Sequence, residues 1–233
     1  MQYSAYSNVG GRANNEDSLV IEESHGCVLF AVADGLGGVE AGEIASGTAV
    51  EELKNQFLFE PQSFDLSQAL VAANAEILRI QESSAKKMKT TITAVYISYD
   101  GIQCAHVGDS RIYMFGKDGI VYQSIDHSVS QMAVLAGEIR PEEIRNHEDR
   151  NMLTKALGVS DNLSVDVKKI PAENVSAILL CSDGFWEYVY EEEMIKILGE
   201  TDNPEDWINE MRALLMQRKP DKNDNNTAIA VIL

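Results

Sequence analysis

Basic residues are scarce in this sequence. Its 233 residues include 19 lysines and arginines against 37 aspartates and glutamates, which gives a formal net charge of −18 at pH 7. A chain with that charge is repelled by the phosphates of nucleic acid and by anionic membrane surfaces. We therefore expect neither a nucleic acid nor a membrane as its main partner.

Long apolar runs and paired cysteines are also missing. The longest apolar runs, such as 27–33, are far too short to span a bilayer, and the opening MQYSAYSNVGGR has no apolar signal core. Cys27, Cys104 and Cys181 are far apart, odd in number and without CxxC spacing. Because each lies in an apolar strand-like run, we expect reduced thiols in the core and, by default, a cytoplasmic protein.

The predicted strands and helices come in groups. Strands are predicted at 18–22, 27–33, 91–99, 102–107, 111–115, 120–123, 163–167, 177–181 and 227–233, and helices at 43–59, 66–81, 129–136, 191–198 and 204–217. Since two long helices follow one another between strands and another pair comes late, the order favours two packed sheets with helices outside over alternating βαβ units. No linker divides the chain, so one domain, 1–233, is expected, with an irregular, mobile flap at about 126–151.

Four aspartates lie beside apolar, strand-like runs. Three end such runs, in LFAVAD at Asp34, CAHVGD at Asp109 and ILLCSD at Asp183, and Asp224 precedes TAIAVIL. Aspartate is a poor strand residue, so the pattern predicts strand ends that converge, where carboxylates repel unless a cation lies among them. Mg²⁺ and Mn²⁺ prefer such oxygen ligands, whereas the four histidines show no zinc-type spacing.

Two neighbouring segments extend the candidate site. Gly35 lets the backbone approach closely, so its carbonyl could bind a metal beside Asp34, although a glycine-rich turn into a helix is the simpler interpretation of that motif alone. Arg12 offers a planar fork for a phosphate, and Glu16 and Asp17 could hold metal-bound waters. Taken alone, that segment fits a polar surface loop better. Because no Ser-His-Asp or Cys-His signature stands out, a metal-activated water is the remaining nucleophile.

Seven motifs follow one another along the chain. They are Arg12-x-x-Asn15-Glu16-Asp17, Ala33-Asp34-Gly35-Leu36-Gly37-Gly38, Val107-Gly108-Asp109-Ser110-Arg111, Asp126-His127-Ser128, Leu153-Thr154-Lys155-Ala156-Leu157-Gly158, Cys181-Ser182-Asp183-Gly184-Phe185-Trp186 and Asp224-Asn225-Asn226-Thr227. In this order they resemble the motif series of the metal-dependent protein phosphatase 2C (PPM) family, in its compact bacterial form. Any one motif is weak, whereas seven in order are highly specific.

The resemblance implies a fold and an activity. The fold is α+β, an αββα sandwich of two mainly antiparallel sheets flanked by helices, with a metal site in a cleft at one end. The activity is that of a protein serine/threonine phosphatase, in which a metal-bridging hydroxide attacks phosphoserine or phosphothreonine. A monomer is expected, with a serine/threonine kinase and its phosphorylated substrates as partners. The alternatives are a non-catalytic phosphoprotein-binding module and, less favoured, a metal-dependent phosphodiesterase.

The resemblance also implies the metal ligands, for two ions of Mn²⁺ or Mg²⁺. Asp34 would bridge both ions, and the Gly35 carbonyl would bind one of them. Asp183 and Asp224 would complete the other. Asp109, with Asp183, would hold the third ion seen in bacterial relatives.

Other residues receive supporting roles by the same resemblance. Glu16 and Asp17 would orient metal-bound waters, and Arg12 would bind the substrate phosphate. Asn225 would support its neighbour or the phosphate. Leu36 departs from many eukaryotic members, which carry at that position a histidine proposed as general acid.

Several further residues are interpreted individually. Arg111 is expected to form a structural ion pair and His127 to pack or cap within a turn, since both roles are commoner than catalysis for such residues. Met132 and Leu135, in the flap, could be core residues or part of a substrate-facing edge.

Overall fold

The computed structural model describes residues 1–37, 41–219 and 221–233. The strands are β1 (Gln2–Asn8), β2 (Asp17–Ser24), β3 (Cys27–Gly37), β4 (Met88–Thr90), β5 (Ile92–Ser98), β6 (Gly101–Val107), β7 (Arg111–Gly116), β8 (Gly119–Gln123), β9 (Lys168–Ile170), β10 (Ala177–Cys181) and β11 (Asn226–Ile232). The α-helices are α1 (Ala41–Phe59), α2 (Leu66–Ser84), α3 (Val129–Leu135), α4 (Asp183–Trp186), α5 (Glu191–Glu200) and α6 (Pro204–Arg218), and short 3₁₀ helices cover Pro61–Ser63, Pro141–Asn146 and Ala172–Asn174.

The strands form two sheets whose pairings are antiparallel. The β11 sheet has the order β1-β11-β10-β7-β8, and the β3 sheet has the order β2-β3-β5-β6-β9, with β4 pairing to the end of β3. Phe30 and Val95 from the β3 sheet meet Leu180 and Ile229 from the β11 sheet in one buried cluster. That shared apolar layer stacks the sheets face to face.

Helices cover the outer face of each sheet. Leu53 of α1 and Leu70 of α2 pack on the β3 sheet, and Met194 of α5 and Trp207 of α6 pack on the β11 sheet. The predicted αββα sandwich is therefore confirmed. In the described part of the chain, no helix combines the length and the apolar character needed to cross a membrane.

The strand predicted at 163–167 is wrong. Leu163, Val165 and Val167 are partly buried against the α1–α2 side of the core, but their backbone joins no ladder. Pairing begins only at β9, against β6. Alternation in the sequence reports which side chains face inward, whereas a strand also needs a hydrogen-bonding partner.

Besides β9, two strands were missed for a related reason. β1 has the polar sequence QYSAYSN and lies at the edge of its sheet, where it pairs only with β11. β4 has three residues and pairs with the last residues of β3. Neither strand carries the apolar alternation by which a half-buried strand is recognised.

β3 runs past its predicted end at Ala33 and reaches Gly37. Its pairing with β5 ends at Val32, and β4 takes over at Gly35. Asp34 therefore lies where the strand changes partner, rather than at a strand end. Gly38, which belongs to the motif that begins at Ala33, lies outside the described residues.

The segment 126–151 packs against the rest of the fold through a few specific contacts. Ile144 is buried with the core on the α5–α6 side. Arg145 donates to the Trp186 carbonyl and to a Glu191 carboxylate oxygen, both at 2.6 Å. The predicted helix at 129–136 is present as α3. The mobility of this flap and the single-domain assignment stay predictions.

Replacing Leu70 by alanine should destabilise the protein by about 2–5 kcal/mol, because it removes a fully buried side chain between α2 and the β3 sheet. Val71→Ala, next to it on the exposed side of α2, is the matched control and should change stability by less than about 0.5 kcal/mol. Urea unfolding followed by circular dichroism measures both. Equal losses would contradict the assigned helix face.

Candidate metal centre

An open cleft of about 410 Å³ lies where the ends of several strands meet. Its walls are Arg12, Ala13, Asn14, Glu16, Asp34, Gly35, Leu36, Gly37, Asp224 and Asn225. Six of the predicted site residues are thus brought to one cavity. The other three, Asp17, Asp109 and Asp183, do not line it but lie close enough to Asp34 for their charges to raise its pKa.

Strand pairing explains this convergence. Asp17 opens β2 and lies opposite Asp34 in the β2–β3 ladder. Asp109 follows β6, Asp183 follows β10, and Asp224 precedes β11. Because neighbouring antiparallel strands run in opposite directions, the end of one and the start of the next meet at the same edge.

Burial and mutual repulsion dominate the electrostatics of these carboxyl groups. The pKa of Asp34 is raised well above its ordinary value by burial first and then by Asp183, Asp17, Asp109 and Asp224. The pKa of Asp183 is raised in the same way, by burial and then by Asp109. Burial also raises the pKa of Asp17 and of Asp109 to about 7. The cluster therefore disfavours its own negative charge unless a cation offsets it.

Hydroxyl groups hold the backbone around Asp34 in place. The Asp34 N–H donates to Thr91 Oγ1 at 3.0 Å, and its carbonyl accepts from Thr90 Oγ1 at 2.8 Å. Thr91 Oγ1 also shares a 2.7 Å hydrogen bond with Ser110 Oγ, next to Asp109. This chain of contacts fixes the spacing between two of the candidate ligands.

A second hydroxyl contact joins the two sheets at the cleft. Ser182 Oγ donates to Asp17 Oδ2 at 2.8 Å and accepts from the Thr227 N–H at 3.0 Å. Ser182 directly follows β10 of one sheet, whereas Asp17 begins β2 of the other. The sheets are thus held together at the end where the carboxylates gather.

Two glycines permit the close approach of these turns. Gly108 has φ of +106°, and a Cβ there would meet Thr91 Cγ2 at 2.6 Å. A Cβ at Gly184 would lie 2.0 Å from the Asn225 carbonyl oxygen. Each glycine directly neighbours a candidate ligand, Asp109 or Asp183, so larger residues would displace those carboxylates.

Arg12 forms the rim of the cleft. Its Nη2 lies 2.5 Å from Asp224 Oδ2, and its side chain is 56% exposed, which leaves other guanidinium donors open to solvent. Asn225 holds this loop: its Oδ1 accepts from the Glu16 N–H at 2.8 Å, and its Nδ2 donates to two loop carbonyls. With its amide used on backbone groups, Asn225 is placed to support the loop rather than to reach a phosphate.

The residues fit a hydrated hard cation. Asp17 Oδ1 is buried without a hydrogen-bond partner, which is costly for a carboxylate oxygen. Within 1–37, 41–219 and 221–233, no three His, Cys, Asp or Glu side chains are grouped so as to hold an ion by themselves. Mg²⁺ and Mn²⁺ in proteins usually keep several waters and need only one or two carboxylates each, so carboxylates spread around a wet cleft suit them.

The sequence of this chain is similar to those of known proteins. The family model described as protein phosphatase 2C matches residues 6–224. The serine/threonine phosphatase stp of Listeria innocua is 34% identical over 197 residues, which are 80% of this chain and 78% of that protein. This chain belongs to the protein phosphatase 2C family. The predicted family and the predicted class of activity are confirmed.

Solved structures of family members share the fold. A bacterial serine phosphatase is 30% identical, with a TM-score of 0.90 over 100% of this chain and 97% of that one. The catalytic domain of the serine/threonine phosphatase PstP, in complex with two manganese ions, is 29% identical, with a TM-score of 0.82 over 98% of this chain and 96% of that one.

Arg111 lies two residues after the candidate ligand Asp109, but its side chain is paired with Asp126. Its Nε and Nη2 donate to the two carboxylate oxygens of Asp126 at 2.9 and 2.7 Å, with both side chains buried. Its guanidinium lies 3.5 Å from the Trp186 ring centroid, and Trp186 Nε1 donates to the Asp109 carbonyl at 2.9 Å. The predicted structural ion pair is confirmed. Through Trp186, which contacts both Arg111 and the Asp109 carbonyl, it supports the turn at Asp109.

His127 also has the packing role predicted for it. Its ring stacks on His106, with 4.7 Å between centroids, and its Nδ1 accepts from the Gly108 N–H at 3.1 Å. Burial, followed by the neighbouring His106 and Lys155, lowers the pKa of His127 to about 4. The ring is therefore neutral at physiological pH and braces the turn before Asp109.

Glu187 was missed by the sequence analysis. It lies one helical turn after Asp183, and its charge helps to raise the pKa of Asp183. Arg150 of the flap binds its Oε1 at 2.8 Å. The i,i+4 spacing from a candidate ligand was the available signal, because such residues share one helix face.

The two arginine–aspartate pairs should differ sharply in stability. Arg111→Ala leaves Asp126 buried without its partner and should cost about 3–5 kcal/mol. Arg12→Ala, at the exposed pair with Asp224, should cost less than about 1 kcal/mol. Urea unfolding of the two variants beside the wild type tests this contrast, and a stable Arg111→Ala protein would refute the structural role.

Proposed function

We propose that this chain hydrolyses phosphoserine and phosphothreonine in proteins with two Mn²⁺ or Mg²⁺ ions held in the carboxylate cleft. Its family is metal-dependent, and relatives in it are serine/threonine phosphatases. The observation that carries the proposal is the convergence of mutually repelling aspartates beneath one exposed arginine. The carboxylates would bind the cations, and the arginine would bind an anionic substrate.

Five residues would hold the ions. Asp34 is central, because four other carboxylates raise its pKa, and it would bridge the two cations. The Gly35 carbonyl, Asp183 and Asp224 would complete their ligands, and Asp109 with Asp183 would hold a third ion. When bound, the ions supply an activated water and offset the charge on the phosphate oxygens.

The remaining site residues act on substrate and water. Arg12 would donate to the phosphate with the guanidinium nitrogens that Asp224 does not occupy. Glu16 and Asp17 would accept hydrogen bonds from water and so orient it. Leu36 lines the cleft and has no proton to give, so the leaving serine or threonine oxygen would take its proton from water.

We further propose that the protein acts as a cytoplasmic monomer opposite a serine/threonine kinase, on that kinase and its substrates. Its relatives bear the names of serine/threonine phosphatases, which fits a phosphoprotein substrate. Cys27, Cys104 and Cys181 are buried and unpaired, as expected in a reducing compartment.

Activity toward a phosphothreonine peptide should require Mn²⁺ or Mg²⁺ and disappear with EDTA. Asp34→Asn keeps the side-chain shape but removes the bridging charge. Loss of supporting groups around a metal costs about 10–100-fold, so loss of a bridging ligand should cost more than about 100-fold. Asp100→Asn, in the exposed β5–β6 turn, is the control and should leave the rate unchanged.

Three other results would count against this proposal, and two of them would favour an alternative function. Turnover that survives both EDTA and Asp34→Asn would contradict a metal-assisted reaction. Retention of the phosphopeptide without turnover would favour the binding module. Faster cleavage of bis-p-nitrophenyl phosphate than of p-nitrophenyl phosphate would favour a phosphodiesterase.

A further inference from the structure

A second groove, of about 380 Å³, borders the turn that carries the candidate ligand Asp109. His106 and His127 line it, and both His127 Nδ1 and the His127 N–H are hydrogen-bonded to Gly108, at 3.1 and 2.8 Å. Gly108 directly precedes the candidate ligand Asp109. The groove therefore borders the turn at Asp109, and residues 126–135 of the flap line part of it.

Exposed apolar side chains line this groove. Ile125, Met132 and Leu135 are 57%, 59% and 71% exposed, although all three are large and apolar. Met132 and Leu135 are three residues apart on α3, so they share one helix face, and the fully buried part of α3 is Ser130 alone. Clustered exposed apolar residues of this kind mark a binding surface. The question left open for Met132 and Leu135 is thus decided against a core role.

The groove also concentrates positive charge on an acidic protein. Lys155 and Lys168 line it, and the exposed carboxylate there is that of Asp166. Asp126 also lines it, but its carboxylate is buried and paired with Arg111. On a chain with a net charge of −18, this local excess of cations selects for acidic groups.

We propose that this groove binds the stretch of the substrate polypeptide that flanks the phosphorylated residue. One apolar side chain of that stretch packs against Ile125, Met132 and Leu135, and a neighbouring acidic side chain faces Lys155 and Lys168. The turn at 107–110 links the two places, because it carries Asp109 and is hydrogen-bonded through Gly108 to His127 of the groove. The inference rests on the proposed function and adds a sequence preference to it.

Phosphothreonine peptides test the apolar part. One leucine is moved residue by residue outward from the phosphothreonine, and kcat/KM is measured for each peptide with Mn²⁺. One position should stand out, and the double variant Met132→Ser, Leu135→Ser should lose that preference by about tenfold, the usual scale for a side chain in an apolar pocket. The control double variant Leu58→Ser, Met216→Ser removes comparably exposed residues from α1 and α6 and should keep the preference.

Two adjacent lysines test the charged part. Lys168 lines the groove, whereas Lys169 lies on the other face of β9 with Tyr99 and Asp100. Lys168→Glu and Lys169→Glu change the net charge equally. Only Lys168→Glu should raise KM for a peptide with glutamate beside the leucine, by about tenfold, because it places like charges together.

Hydrolysis of p-nitrophenyl phosphate distinguishes a failure of the groove proposal from a failure of the proposed function. All groove variants should hydrolyse it at the wild-type rate, because it does not reach the groove. If the wild type fails to hydrolyse it with Mn²⁺, the proposed function fails. If it is hydrolysed but no leucine position stands out, or the groove variants treat peptides as the wild type does, the groove proposal is overturned. A dimer by light scattering that dissociates in the Met132→Ser, Leu135→Ser variant would assign the groove to a second copy and overturn it too.

Discussion

The repulsion among buried carboxylates at one end of the sandwich is the constraint on which the site depends. Antiparallel pairing brings Asp17 opposite Asp34, and the starts and ends of neighbouring strands bring Asp109, Asp183 and Asp224 to the same edge. Each charge raises the pKa of its neighbours. The fold therefore holds together groups that would separate if they were free, and a divalent cation is the simplest way to offset that cost.

The side chains that hold these aspartates in place are mostly uncharged. Thr91 joins Asp34 to Ser110, and Ser182 joins Asp17 in one sheet to Thr227 in the other. Hydroxyl groups can do this because each both donates and accepts. Arginine has two different uses nearby. Arg111 is buried in an ion pair that supports the fold, whereas Arg12 is exposed and remains available to an anion.

The sequence predicted the sandwich because the helices come in pairs and most strands carry apolar or β-branched runs. It also predicted the candidate site, because each aspartate lies beside such a run. It failed where position in the sheet decides the outcome. β1 is a polar edge strand, 163–167 faces inward without a partner, and Asp34 lies at a change of partner that depends on β4, far away in sequence. The sequence assigned no role to Thr91 or Ser182, since their importance comes from the residues that the fold brings to them, and for Glu187 it offered only the i,i+4 spacing from Asp183.

The central claim is that these aspartates are held together for cations, and the most direct test is the stability of the protein with and without Mn²⁺. Because an ion that binds only the folded state stabilises it, the free energy of unfolding in urea should rise by about 2.7 kcal/mol when free Mn²⁺ is 100 times its dissociation constant. That rise should vanish in Asp34→Asn. A stability that does not respond to Mn²⁺, or responds equally in Asp34→Asn, would contradict the account.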